Sequence, residues 1–195
     1  MFCVKSIFTC EDTIKKSRFI GVIMPCNDEK EAMINLKQLH YDYADATHIA
    51  YAYRIKTPTG LTYRFHDAGE PTGTAGKPIY LHLDGKELIN SLIAVIRYYG
   101  GVKLGAGGLT RAYGNAARQA IEAAELIAHT EWVKVHLTLD YHRVQALEYM
   151  LNKLGAQIIH KEFFEQVQLV VHVPSDRLTT LQDSIPETEL TVPDV

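Results

Sequence analysis

The chain has 195 residues, which allows one or two domains at about 100–200 residues each. Hydrophobic residues at 47% and charged residues at 22% are enough to build a core and exclude a disordered chain. A net charge of −3 excludes a uniformly basic nucleic-acid binder, and no apolar run nears the roughly 18 residues of a membrane span.

In chain order, residues 2–9 and 18–24 are short and apolar-rich and predict strands. Pro25, Cys26, Asn27 and Asp28 form a turn, and Asp28 is placed to cap a helix over residues 31–43, with Met33, Leu36 and Leu39 at helical spacing. Residues 47–55 alternate and are rich in aromatic and β-branched side chains, so they predict a strand. The turn Pro58-Thr59-Gly60 returns the chain as a second strand over 61–65. Residues 66–78, with three glycines and two prolines, predict a long loop entering a short helix over 79–83. A buried strand over 88–97, a glycine-rich turn over 98–108 and an alanine-rich helix over 109–128 follow.

A change in design comes near Glu131: twelve of the thirteen glycines precede it, so a domain boundary is expected there, with domains at 1–130 and 133–195. Residues 133–140 alternate as a strand, and 143–154 place Val144, Leu147, Met150, Leu151 and Leu154 on one helical face ended by Gly155. Residues 157–163 and 166–173 predict a hairpin, Ser175 caps a last helix over 176–184, and a short strand is expected near 190–192. The order β-α-β-β-α is the ferredoxin-like split βαβ pattern, and the fold class expected for the whole chain is α+β.

Charge follows the same division. Residues 54–118 carry nine Lys/Arg against four Asp/Glu, and residues 133–195 carry five against nine, so a polyanion would meet the middle of the chain. The three cysteines, Cys3, Cys10 and Cys26, match no zinc or redox spacing. They fit a reducing compartment, and residues 1–13 do not read as a signal peptide, so a cytoplasmic location is expected.

Two segments can carry chemistry. The first runs from Arg97 to Arg111 and places Gly100, Gly101, Gly105, Gly107 and Gly108 between an apolar strand and a helix. Glycine admits close backbone approach, and a helix N-terminus offers free N–H groups to an anion. Arg97, Lys103 and Arg111 add point charges, with Tyr98 and Tyr99 between them. The run is neither a Walker loop nor a dinucleotide fingerprint, because no Gly-Lys-Ser/Thr follows and Thr110 stands where the third glycine would be. Anion binding and tight strand–helix packing both account for it.

The second is the loop from Asp67 to Pro78. Asp67 and Glu70 are carboxylates three apart beside His66, with Thr74 and Lys77 following. Such a pair can do acid–base work in a small-molecule or phosphate-ester enzyme, whereas turn and capping bonds are the commoner use of Asp, Thr and Gly. Tyrosines beside Arg54, Arg64 and Arg97 can stack on bases or simply fill strand faces. The histidines show no ligand spacing, so neither a metal nor a cofactor is expected. No nucleophile elbow or Cys–His arrangement stands out.

Three stretches resemble the IMPACT family, in its YigZ-like bacterial form: Lys16-Ser17-Arg18-Phe19-Ile20-Gly21, the Asp67 to Pro78 loop, and Arg97-Tyr98-Tyr99-Gly100-Gly101 followed by Leu104-Gly105. The resemblance covers residues 16–118, and the later part of the chain resembles the family's second domain by its pattern. It implies an N-terminal α/β domain like the second domain of a small-subunit ribosomal protein and like domains of RNase P protein and elongation factor G. It also implies a ferredoxin-like C-terminal domain like the last domain of elongation factor G. Eukaryotic members resemble translation regulators acting through a starvation-sensing kinase pathway; two domains without their extra N-terminal module are expected of a bacterial member. The function expected is a non-enzymatic RNA-, ribosome- or nucleic-acid-associated binding protein with no membrane partner. An enzyme using Asp67 and Glu70, or a protein-interaction module, are the other readings.

Overall fold

A computed structural model of the chain describes residues 1–186 and 189–193. It divides into two units, Met1–His129 and Thr130–Val195.

The first unit is built on strands β1 (Phe2–Val4), β2 (Phe8–Ile14), β3 (Ser17–Pro25), β4 (His48–Thr57), β5 (Gly60–His66), β6 (Ser91–Tyr98) and β7 (Leu126–Ala128). Its helices are α1 (Glu29–Asp42), α2 (Gly76–Gly85) and α3 (Ala106–Ala123). Five strands form one sheet in the order β2-β3-β6-β4-β5, with every neighbouring pair antiparallel. Strand β6 is central and apolar on both faces, as a strand covered on two sides must be. Side chains alternate across it. Leu92, Ala94 and Ile96 meet Ala32, Leu36 and Leu39 of α1. Ile93 and Val95 meet the helices on the other face, through Ile79 and Leu83 of α2 and Leu109, Tyr113 and Ala117 of α3. The alanines of α3 let that helix lie close to the sheet.

Helix α1 begins where the capping signal puts it. The Asp28 carboxylate accepts from the Glu31 N–H at 2.7 Å, and the Glu31 carboxylate accepts in return from the Asn27 N–H at 2.7 Å. Leu36 and Leu39 are buried, but Met33, expected beside them, is 48% exposed, because the stripe facing the sheet runs through Ala32 instead.

Several expected elements differ: α2 starts at Gly76 and takes in Lys77 and Pro78, expected in the loop, and β6 starts at Ser91 rather than residue 88. Residues 2–9 are not one strand: β1 ends at Val4 and β2 starts at Phe8 and runs to Ile14. The alanine-rich helix stops at Ala123 rather than reaching residue 128. Ala124 is extended, and Leu126–Ala128 pair antiparallel with β1 in a two-stranded sheet of their own. The apolar pattern there suits either state, and pairing with the N-terminal strand decides it. Helix α3 also starts earlier than expected, at Ala106, so Gly107 and Gly108 lie in its first turn.

The second unit contains β8 (Trp132–Leu139), α4 (Val144–Lys153), β9 (Gln157–Phe163), β10 (Val167–Pro174), α5 (Leu178–Gln182) and β11 (Leu190–Thr191). The antiparallel sheet order β11-β8-β10-β9 is the ferredoxin-like arrangement expected of the pattern. Leu147 and Leu151 of α4 are buried against Val135, Leu137, Leu169 and Val171, with Val144, Met150 and Leu154 at the margin. Gly155 ends α4 at φ +69°. Ser175 begins a 3-10 turn, Ser175–Arg177, ahead of α5 rather than capping one continuous helix.

Candidate functional site

The site is organised by a charged residue in a core register. Arg97 follows Ile93 and Val95 on the face of β6 that packs against α2 and α3, and is only 5% exposed. Its cross-strand neighbours are Phe19 on β3 and His48 on β4. The guanidinium lies 5.5 Å from the Phe19 ring centre and 5.4 Å from that of Tyr99.

Burial of a cation requires a partner. Glu70, in the loop after β5, supplies it: the Glu70 Oε1 accepts from the Arg97 Nη1 at 2.5 Å and from the Tyr113 hydroxyl of α3 at 2.7 Å. Burial, together with the carboxylate beside it, pushes the Tyr113 hydroxyl far up, so it stays protonated and donates. His48 joins from β4. Its Nδ1 lies 2.8 Å from the Ala68 carbonyl, which can only accept, so Nδ1 carries the proton. The Nε2 then stands 3.9 Å from Glu70 Oε1. Arg97 Nε is buried and has no hydrogen-bond partner among the described residues.

Two loops are held around this network. After β6, the Tyr99 N–H donates to Thr47 Oγ1 at 3.0 Å and the Gly100 N–H to Ser17 Oγ at 3.1 Å. A β-carbon at Gly100 would lie 1.9 Å from the Lys16 carbonyl oxygen, so only glycine fits against the β2–β3 turn. Gly105, at φ +72°, turns the chain into α3. No side chain caps α3 and its first turn contains no acidic residue. Its leading N–H groups therefore keep their partial positive charge unneutralised.

The Asp67 loop is tied down by its own backbone. The Asp67 carboxylate accepts from the N–H groups of Gly73 at 2.8 Å, Ala75 at 3.0 Å and Gly76 at 2.8 Å. Burial works to raise the Asp67 pKa, but these three bonds outweigh it and hold the carboxyl below the ordinary carboxylate value. Thr74, buried, donates to the Pro71 carbonyl at 2.6 Å. Asp67 and Glu70 thus do separate work, one fastening the loop and start of α2, the other balancing Arg97.

The sequence-predicted residues divide among three places. Arg97, Tyr99, Lys103, Gly105 and Glu70 line one cleft of about 430 Å³, with Thr47, His48, Pro71, Leu104, Ala106 and Leu109. Lys77 and Arg111 line a neighbouring cleft of about 470 Å³ between α2 and α3, beside Gly73 and Thr110. Tyr98 takes the opposite direction along β6, against the α1 side of the sheet, and its hydroxyl donates to Asp45 at 2.9 Å. Lys77, Lys103 and Arg111 are exposed and form no ion pair with a described residue, whereas Arg54 and Arg118 pair with Asp84 and Glu122. His48 and Tyr113 escape sequence reasoning. Their signal is Arg97 itself: an arginine in phase with the apolar face of a strand needs buried partners.

Among the described residues no cluster of three or more His, Cys, Asp or Glu side chains is placed to hold a metal ion. No helix among them is long and apolar enough to cross a membrane.

Comparison with known proteins gives matches over most of the chain. A family model described as the Impact N-terminal domain matches residues 15–121, and one described as a domain of unknown function, DUF1949, matches residues 137–188. An IMPACT family member from Thermus thermophilus is 36% identical over 161 residues, covering 83% of this chain and 86% of that one. A Haemophilus influenzae IMPACT family member is 32% identical over 184 residues, covering 94% and 89%. The crystal structure of a hypothetical protein matches with a TM-score of 0.70 at 28% identity, covering 99% of this chain and 97% of that one.

Proposed function

The chain belongs to the IMPACT family, and from that premise we propose that it is a non-enzymatic RNA-binding protein that works in the setting of translation, at the ribosome or on RNA associated with it. The observation that carries this reading is the cleft in which Arg97, Tyr99 and Lys103 meet the uncapped start of α3. Phosphate is the anion that such a surface suits: backbone N–H groups, a half-charge from the helix and cationic side chains around them. Lys77 and Arg111, in the adjoining cleft, extend the cationic surface past the N-terminal part of α3. The modest overall charge is compatible with this, because the positive balance is concentrated in residues 54–118. The engagement of Asp67 by three backbone N–H groups, and of Glu70 by Arg97 and Tyr113, favours binding over acid–base chemistry at the same loop.

The test is fluorescence anisotropy of a labelled single-stranded RNA, and co-sedimentation with purified ribosomes, at salt concentrations from about 50 to 200 mM. Affinity falls steeply over that range, and Lys103→Glu with Arg111→Glu weakens binding and flattens the salt dependence. Binding that ignores salt, or survives both charge reversals unchanged, overturns the reading.

A further inference from the structure

The floor of the cleft holds an unfilled donor. Arg97 is 5% exposed, its Nη1 is committed to Glu70, and its Nε has no acceptor among the described residues. A buried N–H of a charged group left unpaired is costly, and native proteins rarely leave one without a water or ligand to receive it. An arginine side chain offers Nε–H and an Nη–H as a fork matched to two oxygens of one phosphate. In Arg97 the Nε end of that fork is buried and has no acceptor among the described residues, and the residue lines the cleft into which α3 begins.

Three further features stand around the same space. The uncapped α3 start, with Gly105 and Ala106 in the lining, presents main-chain donors. Lys103 adds an exposed ammonium group with no ion-pair partner among the described residues. Tyr99 has the Arg97 guanidinium over its ring, yet is 46% exposed, which leaves ring surface for a base to stack on. The Glu70 carboxylate does not oppose an anion here as a free charge would, because Arg97 and Tyr113 already bond to it.

From this arrangement we propose that the cleft receives the terminal phosphate of a nucleotide, the phosphomonoester at an RNA end, with the adjacent base stacked on Tyr99. The inference rests on the RNA reading above and narrows it. A monoester is preferred over an internal diester on charge: it has about −1.5 to −2 at pH 7, against one charge for a diester, and the donors converge from several sides.

The experiment compares one short single-stranded RNA in three forms, 5′-phosphorylated, 3′-phosphorylated and with hydroxyls at both ends, and adds adenosine monophosphate as a free nucleotide. Full-length protein, Lys103→Gln and Tyr99→Ala are measured, both substitutions being at exposed positions. An end phosphate strengthens binding about tenfold, the size of one charge-assisted contact, and Lys103→Gln removes most of that advantage. Tyr99→Ala weakens the phosphorylated RNAs and the nucleotide alike. If all three RNAs bind equally, the terminal-phosphate inference fails while RNA binding stands. If the nucleotide binds and no RNA does, the phosphomonoester site stands and the RNA reading falls. If nothing binds, both fall.

Discussion

Glu70 and Arg97 face each other at 2.5 Å inside the first unit, each with well under a tenth of its side chain exposed. Their attraction offsets a large desolvation cost, so the pair is a poor source of net stability but a strong constraint on the loop and strand that hold it. Glu70→Ala leaves a buried guanidinium with a second unfilled donor, and it should destabilise the first unit by about 3–5 kcal/mol. Tyr113→Phe removes one of two bonds to the carboxylate and should cost about 1–3 kcal/mol. Replacing both charges together, Glu70→Leu with Arg97→Met, should cost clearly less than the two single changes added. The only tryptophan, Trp132, lies in the second unit, so the measurement is amide hydrogen exchange in β6 under increasing urea. A loss below about 1 kcal/mol for Glu70→Ala would show that the pair is not buried as described.

Most of this architecture is legible in the residues because local signals and burial agree. Asp28 announces α1, Gly155 ends α4, and the alternation of residues 133–140 gives β8 its inner face. Legibility fails where two states share one pattern. Residues 124–128 are as apolar as a helix end, and only their pairing with Phe2–Val4, more than a hundred residues earlier in the chain, makes them a strand. The site was half visible. Arg97, Tyr99, Lys103 and Gly105 announce themselves as a cationic, glycine-rich corner, but the carboxylate that balances Arg97 and the histidine beside it come from β5–α2 and β4. Spacing along the chain cannot report that juxtaposition, since it is created by sheet order.

Asp67 makes stability depend on pH in a defined direction. Its folded pKa lies below the ordinary carboxylate value because three backbone N–H bonds outweigh its burial. A depressed folded pKa means that the stabilisation is fully present above the unfolded value, near 4, and is lost as pH falls through the lower folded value. Asp67→Ala should therefore cost about 1–2 kcal/mol at pH 7, the usual loss for a capping side chain, and the gap to the unaltered protein should shrink as the medium is taken from pH 5 toward pH 3. Urea unfolding of both proteins at several pH values checks it; a gap that widens on acidification would contradict the assignment.

Two glycines of the same loop–helix corner should respond in opposite ways to one added methyl group. At Gly100 a β-carbon would sit 1.9 Å from the Lys16 carbonyl oxygen and 2.5 Å from the Ser17 nitrogen, all main-chain atoms that cannot swing aside. Gly100→Ala must therefore push the Tyr99–Gly105 loop off the β2–β3 turn, break the bond to Ser17, and weaken both stability and ligand binding. At Gly107, in the first turn of α3, nothing lies within 4 Å of the same added atom and the backbone is helical. Gly107→Ala should raise stability by up to about 1 kcal/mol through helix propensity alone. It keeps the Gly107 N–H in place, so RNA affinity should change only if the ligand comes within a methyl's width of that residue. Thermal unfolding and anisotropy on the two variants separate the cases. A stabilised Gly107→Ala protein with intact fold but lost binding would put the ligand's phosphate directly against the first turn of α3, whereas unaffected binding would set it back toward Arg97 and Lys103.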